Sequence, residues 1–234
     1  MPQNFFVTGM PRSGKTTLIY TIIEELKARG LRIGGIISPD ESHHGTRTAF
    51  QVMDIRTGRK AMLASVDGDG PKVSKYHVDV ASFEGVAMPA LTAFRNYDVV
   101  VIDEIGAMEL KSERFREMVD TLLESSTPLI ASLHRDYVSR YGPCGEVMTL
   151  TSDNHEQVRF ALIGRVKEAI GPKSKGRSVW VREKTVKPAP KKVERGKKKT
   201  GKRKAARKGG TAKKAAEEIV VKEGLLAKLR GAFR

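Results

Sequence analysis

Residues 9–16 read Gly-Met-Pro-Arg-Ser-Gly-Lys-Thr, and few stretches of eight residues restrict a fold as strongly. An apolar run, Phe5-Phe6-Val7-Thr8, precedes them. Behind them Leu18, Ile19, Ile22, Ile23 and Leu26 share one helical face and end at Gly30. A glycine turn leading from a strand into a helix is the setting in which this spacing cradles phosphates. Gly9 and Gly14 let the backbone turn tightly, so that successive N–H groups converge on the anion. Lys15 brings a mobile charge to the β- and γ-phosphates, and the Thr16 hydroxyl is suited to Mg²⁺. The helix start adds the positive end of its dipole. The candidate nucleotide-binding residues here are Gly9, Met10, Pro11, Arg12, Ser13, Gly14, Lys15, Thr16 and, at the α-phosphate, Thr17.

A second constellation answers the first. Val99, Val100, Val101 and Ile102 form a continuous apolar run, as expected of a central strand covered on both faces, and Asp103-Glu104 follows directly. Carboxylates at the C-terminal end of a parallel strand lie beside such a loop. Asp103 is the candidate metal ligand with Thr16; Glu104 is the candidate general base, with Lys15 the other catalytic residue. Phosphoryl transfer also calls for positive charge on the moving group, for which Arg47, Lys75 and Arg135 are candidates. The five histidines, including the pair His43-His44, lack metal-site spacing, which argues against zinc.

Residues 1–171 alternate strand-like and helix-like segments, the pattern of an α/β domain with a mainly parallel sheet. Strands are expected at Ile33 to Ile37, Leu129 to Leu133 and Val147 to Leu150. Helices are expected over 81–95, with Pro89 a potential kink, around Phe115 to Leu123, and from Val158 to a stop at Gly171-Pro172. Phe50-Gln51-Val52 and Ala61-Met62-Leu63 flank Arg56-Thr57-Gly58-Arg59, which predicts an antiparallel hairpin at the sheet edge.

The net charge of +16 is concentrated in one segment. Residues 172–216 hold 19 Lys and Arg against 2 Glu, whereas 1–171 hold 20 basic and 22 acidic side chains. The basic stretch is too poor in apolar surface to offset chain entropy, which predicts a disordered tail able to contact RNA or DNA without sequence preference. Residues 217–234 have the spacing of a short amphipathic helix. No apolar run reaches the roughly 20 residues of a membrane span. The single Cys144 excludes an internal disulfide; with no signal-like start, it points to a reducing cytoplasm and a buried free thiol.

These motifs together resemble the THEP-type, or cancer-related, nucleoside-triphosphatases. Asp103-Glu104-Ile105-Gly106-Ala107-Met108-Glu109-Leu110 is similar to that family's Asp-Glu-Ile-Gly-x-Met-Glu-Leu. Gly35-Ile36-Ile37-Ser38-Pro39, Gly45-Thr46-Arg47, Lys75-Tyr76-His77-Val78-Asp79 and Thr151-x-x-Asn154 resemble further segments, so that the likeness spans about residues 3–170. It implies a RecA-like P-loop NTPase fold, a three-layer sandwich, hydrolysing ATP, GTP and other nucleoside triphosphates with Mg²⁺. By motif position it also implies nucleotide contacts at Gly9–Thr17 and along Asp103–Leu110, which adds Ile105 and Gly106 to the nucleotide-binding candidates. Where the family usually has Gly-x-Pro-Gly-x-Gly-Lys-Thr, this chain places Arg12 and Ser13 at the inner glycine and the residue after it.

Loop chemistry alone leaves two other functions open. One is a kinase passing the γ-phosphate to a nucleoside, nucleotide or RNA end, with residues 40–80 as an acceptor lid. The other is a nucleotide-operated switch held on nucleic acid by the basic stretch.

Overall fold

A computed structural model of the chain describes residues 3–39 and 48–171. Arg47, the His43-His44 pair, Gly45-Thr46, the basic stretch 172–216 and the segment 217–234 lie outside the described residues.

In chain order the strands are β1 (Asn4–Gly9), β2 (Ile33–Ile37), β3 (Ala49–Asp54), β4 (Lys60–Ser65), β5 (Lys72–Val73), β6 (Tyr76–Val78), β7 (Val99–Ile105), β8 (Leu129–Leu133) and β9 (Glu146–Leu150). The helices are α1 (Lys15–Ala28), α2 (Val80–Thr92), α3 (Glu113–Leu123), the single turn α4 (Val138–Tyr141) and α5 (His155–Ile170). All nine strands join one sheet in the order β5-β6-β4-β3-β2-β7-β8-β1-β9. The half running from β2 to β9 is parallel, and β3, β4, β6 and β5 continue it as an antiparallel wing.

The strand periodicity of two divides the apolar residues between two cores. Phe5, Val7, Val99, Val101 and Ile130 pack under α1 and α5, whereas Phe6, Val100, Ile102, Leu129 and Ala131 pack under α2 and α3. The result is the expected three-layer α/β architecture.

The predicted hairpin is present as β3 and β4, its turn held by Asp54. Oδ1 of that side chain accepts from Arg56 N at 2.8 Å, and Oδ2 from the Thr57 hydroxyl at 2.5 Å. The wing is larger than a hairpin, because β6 pairs with β4 and β5 with β6. Pro89 lies inside α2, and the helix continues past it to Thr92. Cys144 corrects an expectation. It occupies a 3-10 turn between α4 and β9 that leaves its side chain exposed, where a buried thiol was expected.

Candidate active site

The decisive geometry is the placement of β8. It lies between β1, which delivers the glycine loop, and β7, which delivers Asp103 and Glu104. The ends of all three strands therefore meet at one edge of the sheet.

The loop needs its glycines. A Cβ on Gly9 would stand 2.5 Å from Leu150 O, and Gly14, at φ 88°, would press one into His155. Arg12 has φ 65°, in the left-handed region that favours glycine. This explains why the related motif carries glycine at that position. Lys15 Nζ donates to the carbonyls of Gly9 and Met10, both at 3.2 Å, and so lies folded over the loop. Met10, Pro11, Arg12 and Thr17 are exposed, while Ser13, Gly14, Lys15 and Thr16 are half-buried.

Asp103 is buried at the tip of β7. Its Oδ1 accepts from the Ser132 hydroxyl at 2.6 Å, while Oδ2 makes no hydrogen bond. Burial raises its pKa, and Ser132, Thr16, the Lys15 charge and the Ser38 N–H oppose that rise. Glu104 is also raised, by burial first and then by the neighbouring Asp103 charge, with Lys15 and His134 working the other way. Its Oε1 has no partner either. Eight buried side-chain atoms among the described residues lack a protein partner. Four of them, on Thr8, Ser13, Asp103 and Glu104, belong to the loop and its facing acids. Leaving such atoms unpaired costs on the order of 1–3 kcal/mol each, so their concentration marks where a polar ligand belongs.

The other sequence candidates divide. Arg135, just beyond β8, reaches the loop: its guanidinium lies 3.6 Å from the Met10 sulfur. Lys75 is not brought there. Its ammonium sits over the Tyr76 ring on the wing, six strand spacings from β1, about 29 Å along the sheet. Ile105 is fully buried in the core beneath α2 and α3, so only its backbone faces the site.

Ser132 and His134 carry no functional expectation from the sequence, whereas Glu109 lies in the stretch to which the resemblance assigns nucleotide contacts. Ser132 stands out in retrospect as the polar residue in an apolar strand. His134 follows β8 beside Glu104. Glu109 is buried and pushed up to about 8, mainly by burial and further by the charges of Glu104 and Asp103. Among the described residues no cluster of three or more His, Cys, Asp or Glu is arranged to hold a metal by itself. No described helix is long and apolar enough to cross a membrane.

The family model described as NTPase (NTPase_1) matches residues 4–163. The chain belongs to the THEP1 nucleoside-triphosphatase family. It is 39% identical over 170 residues to the nucleoside-triphosphatase THEP1 of Pyrococcus abyssi, covering 72% of this chain and 95% of that one. The Methanocaldococcus jannaschii THEP1 is 40% identical over 166 residues, with 70% and 97% covered. Two solved structures share the fold. The crystal structure of Aquifex aeolicus THEP1 has a TM-score of 0.62 and 28% identity, covering 70% of this chain and 99% of that one. The solution structure of a human cancer-related nucleoside triphosphatase gives 0.59 and 29%, with 70% and 97% covered. The THEP1 likeness thus covers nearly the whole of each relative, and the basic stretch falls beyond it.

Proposed function

We propose that this chain is a Mg²⁺-dependent nucleoside triphosphatase that transfers the γ-phosphoryl group of ATP, GTP and related nucleotides to water. The observation that carries this reading is the pair of partnerless carboxylate oxygens, Asp103 Oδ2 and Glu104 Oε1, facing the glycine loop across β8. Glu104 is the base: burial strengthens its hold on a proton, as suits a group that must take one from water. The water oxygen bonds to the γ-phosphorus as the bond to the β–γ bridging oxygen breaks. The diphosphate leaves with that electron pair, and the proton passes to Glu104.

Asp103 and Thr16 are the residues that would hold Mg²⁺, an ion that prefers oxygen donors and keeps several waters and phosphate oxygens in its shell. A buried carboxylate oxygen without a protein partner fits that requirement. When bound, the ion would neutralise charge on the phosphates. Lys15 exchanges the carbonyls of Gly9 and Met10 for phosphate oxygens, and the loop N–H groups from Gly9 to Thr17 hold the rest of the chain of phosphates. Arg135 is the cation that neutralises charge on the transferring group, because it already reaches the loop. The catalytic unit is residues 1–171, and the stretch 172–216 contacts nucleic acid through charge alone.

Phosphate release from ATP, GTP, CTP and UTP tests the reading, with labelled nucleosides and RNA present as alternative acceptors. Lys15→Ala should abolish release, and Glu104→Gln should slow it about 10²-fold or more while nucleotide still binds. Undiminished turnover in either variant, or label passing to an acceptor, would overturn hydrolysis by this site.

A further inference from the structure

The site described so far holds phosphates, and the structure also indicates where the rest of the nucleotide goes. The reacting end of the triphosphate must face Asp103, Glu104 and Arg135, all of which come from β7 and the end of β8. β1 has β8 on one side and β9 on the other. The nucleoside must therefore leave the loop on the β9 side.

On that side the chain beyond β9 closes directly onto the loop. Gly9 pairs with Leu150, and Leu150 O fills the space a Gly9 side chain would need. The turn that follows is pinned by Asn154, whose Oδ1 accepts from Thr151 N at 2.8 Å and whose Nδ2 donates to Thr149 O at 2.9 Å. This brings His155, the first residue of α5, against Gly14. Its Cε1 stands 2.5 Å, and its Nε2 3.2 Å, from where a Gly14 Cβ would lie. One turn further along α5, Arg159 bonds Glu25 of α1 and Glu156, each at 2.6 Å, which ties the two helices together. The His155 side chain makes no hydrogen bond to any described residue, and the residue is only half-buried. A planar ring set against the loop, with neither nitrogen hydrogen-bonded to a described residue, is suited to pack on another flat surface.

We infer that His155 forms the nucleoside subsite, its imidazole packing on the base of the bound nucleotide. This rests on the reading of 9–17 as a triphosphate cradle. Every base has a π-face, so a stacking contact of this kind is tolerant of which base it meets. On the loop side of the subsite, a side chain at Gly14 would meet the ring 2.5 Å away and have to displace it.

The test is calorimetric binding of ATP, GTP and inorganic tripolyphosphate to the wild-type chain and to His155→Ala, His155→Phe and Lys15→Ala. Tripolyphosphate carries the phosphates without a nucleoside. Removing the ring should weaken ATP and GTP roughly 5- to 20-fold and leave tripolyphosphate within twofold, and Phe should restore most of the loss. Unchanged nucleotide affinity in His155→Ala overturns the inference. So does equal weakening of tripolyphosphate, which would make His155 a support for the loop alone. Lys15→Ala tests the cradle separately: if it binds both classes as tightly as the wild-type chain, the phosphate reading itself fails, whatever His155 does.

Discussion

The Ser132 hydroxyl donates to Asp103 Oδ1 at 2.6 Å, from one parallel strand to the next, with both side chains buried. It fixes the rotation of the carboxylate and leaves the second oxygen bare. Ser132→Ala removes the hydrogen bond that holds Oδ1. The loss should lower unfolding free energy by about 1–3 kcal/mol, measured by denaturant titration. It should also raise the Mg²⁺ concentration needed for half-maximal turnover. A variant as stable as the parent, with the same metal dependence, would show that the pairing is incidental.

Glu109 gives stability a pH dependence whose sign is fixed. Its ordinary value is 4.5, and in the folded chain it is raised to about 8. Between those values the folded state holds a proton that the unfolded state has lost. Stability attributable to this group is therefore present at low pH and declines as pH rises from about 4.5 to about 8. At about 1.4 kcal/mol per unit, the decline amounts to several kcal/mol. Glu109→Gln stays uncharged throughout and should flatten that part of the curve. Denaturant titrations between about pH 5 and pH 9 would reveal it, and parallel curves for the two proteins would refute it.

Arg12 stands in the left-handed region without the freedom of glycine. That conformation costs an ordinary residue roughly 1–2 kcal/mol, and glycine gives back part of the gain through its larger unfolded-state entropy. Arg12→Gly should therefore be neutral to stabilising by up to about 1 kcal/mol, while Arg12→Val should be plainly destabilising. Paired thermal melts decide the matter; an Arg12→Gly variant that melts well below the parent would mean that the Arg12 side chain contributes more than its backbone costs.

Arg135→Ala should reduce kcat by about 10²-fold or more and leave nucleotide affinity nearly unchanged, as expected of a charge used chiefly in the transition state. A rise in Kd with kcat intact would make it a binding residue instead.

The basic stretch makes a separate prediction from its charge. The full chain should bind single-stranded RNA with an affinity that falls steeply with salt, and the 1–171 fragment should bind far more weakly. Equal binding by both forms would assign no such role to residues 172–216.

The parallel half of the sheet was legible because its signals are local. The run from Val99 to Ile102 is apolar without interruption, and Gly9 to Thr16 sits between a strand and a helix of unambiguous period. The hairpin was legible because Arg56-Thr57-Gly58-Arg59 reads as a turn between two apolar segments. β5 and β6 were not, since two or three residues carry too little periodicity to register. Arg12, Ser132 and Glu109 were opaque for a different reason. A backbone angle, a partner on the next strand and a burial-driven proton affinity are all products of tertiary placement, which no spacing rule encodes. Arg135 and Lys75 looked alike as loop cations, and only strand order separates one beside the loop from one far out on the wing.

The position of β1 has a consequence for when the site comes into being. Its two neighbours are β8 and β9, so Asn4 waits for Leu129 and Phe5 for Glu146. During synthesis the glycine loop emerges first and the acids of β7 later, yet neither can be fixed relative to the other until β8 has been made and inserted between them. Such distant pairings form slowly. A chain halted before Leu129 would carry Lys15, Thr16, Asp103 and Glu104 and still have nowhere to seat a nucleotide. Nucleotide retention by a ribosome-bound or truncated chain would thus report that the sheet is complete, rather than that the loop has been translated.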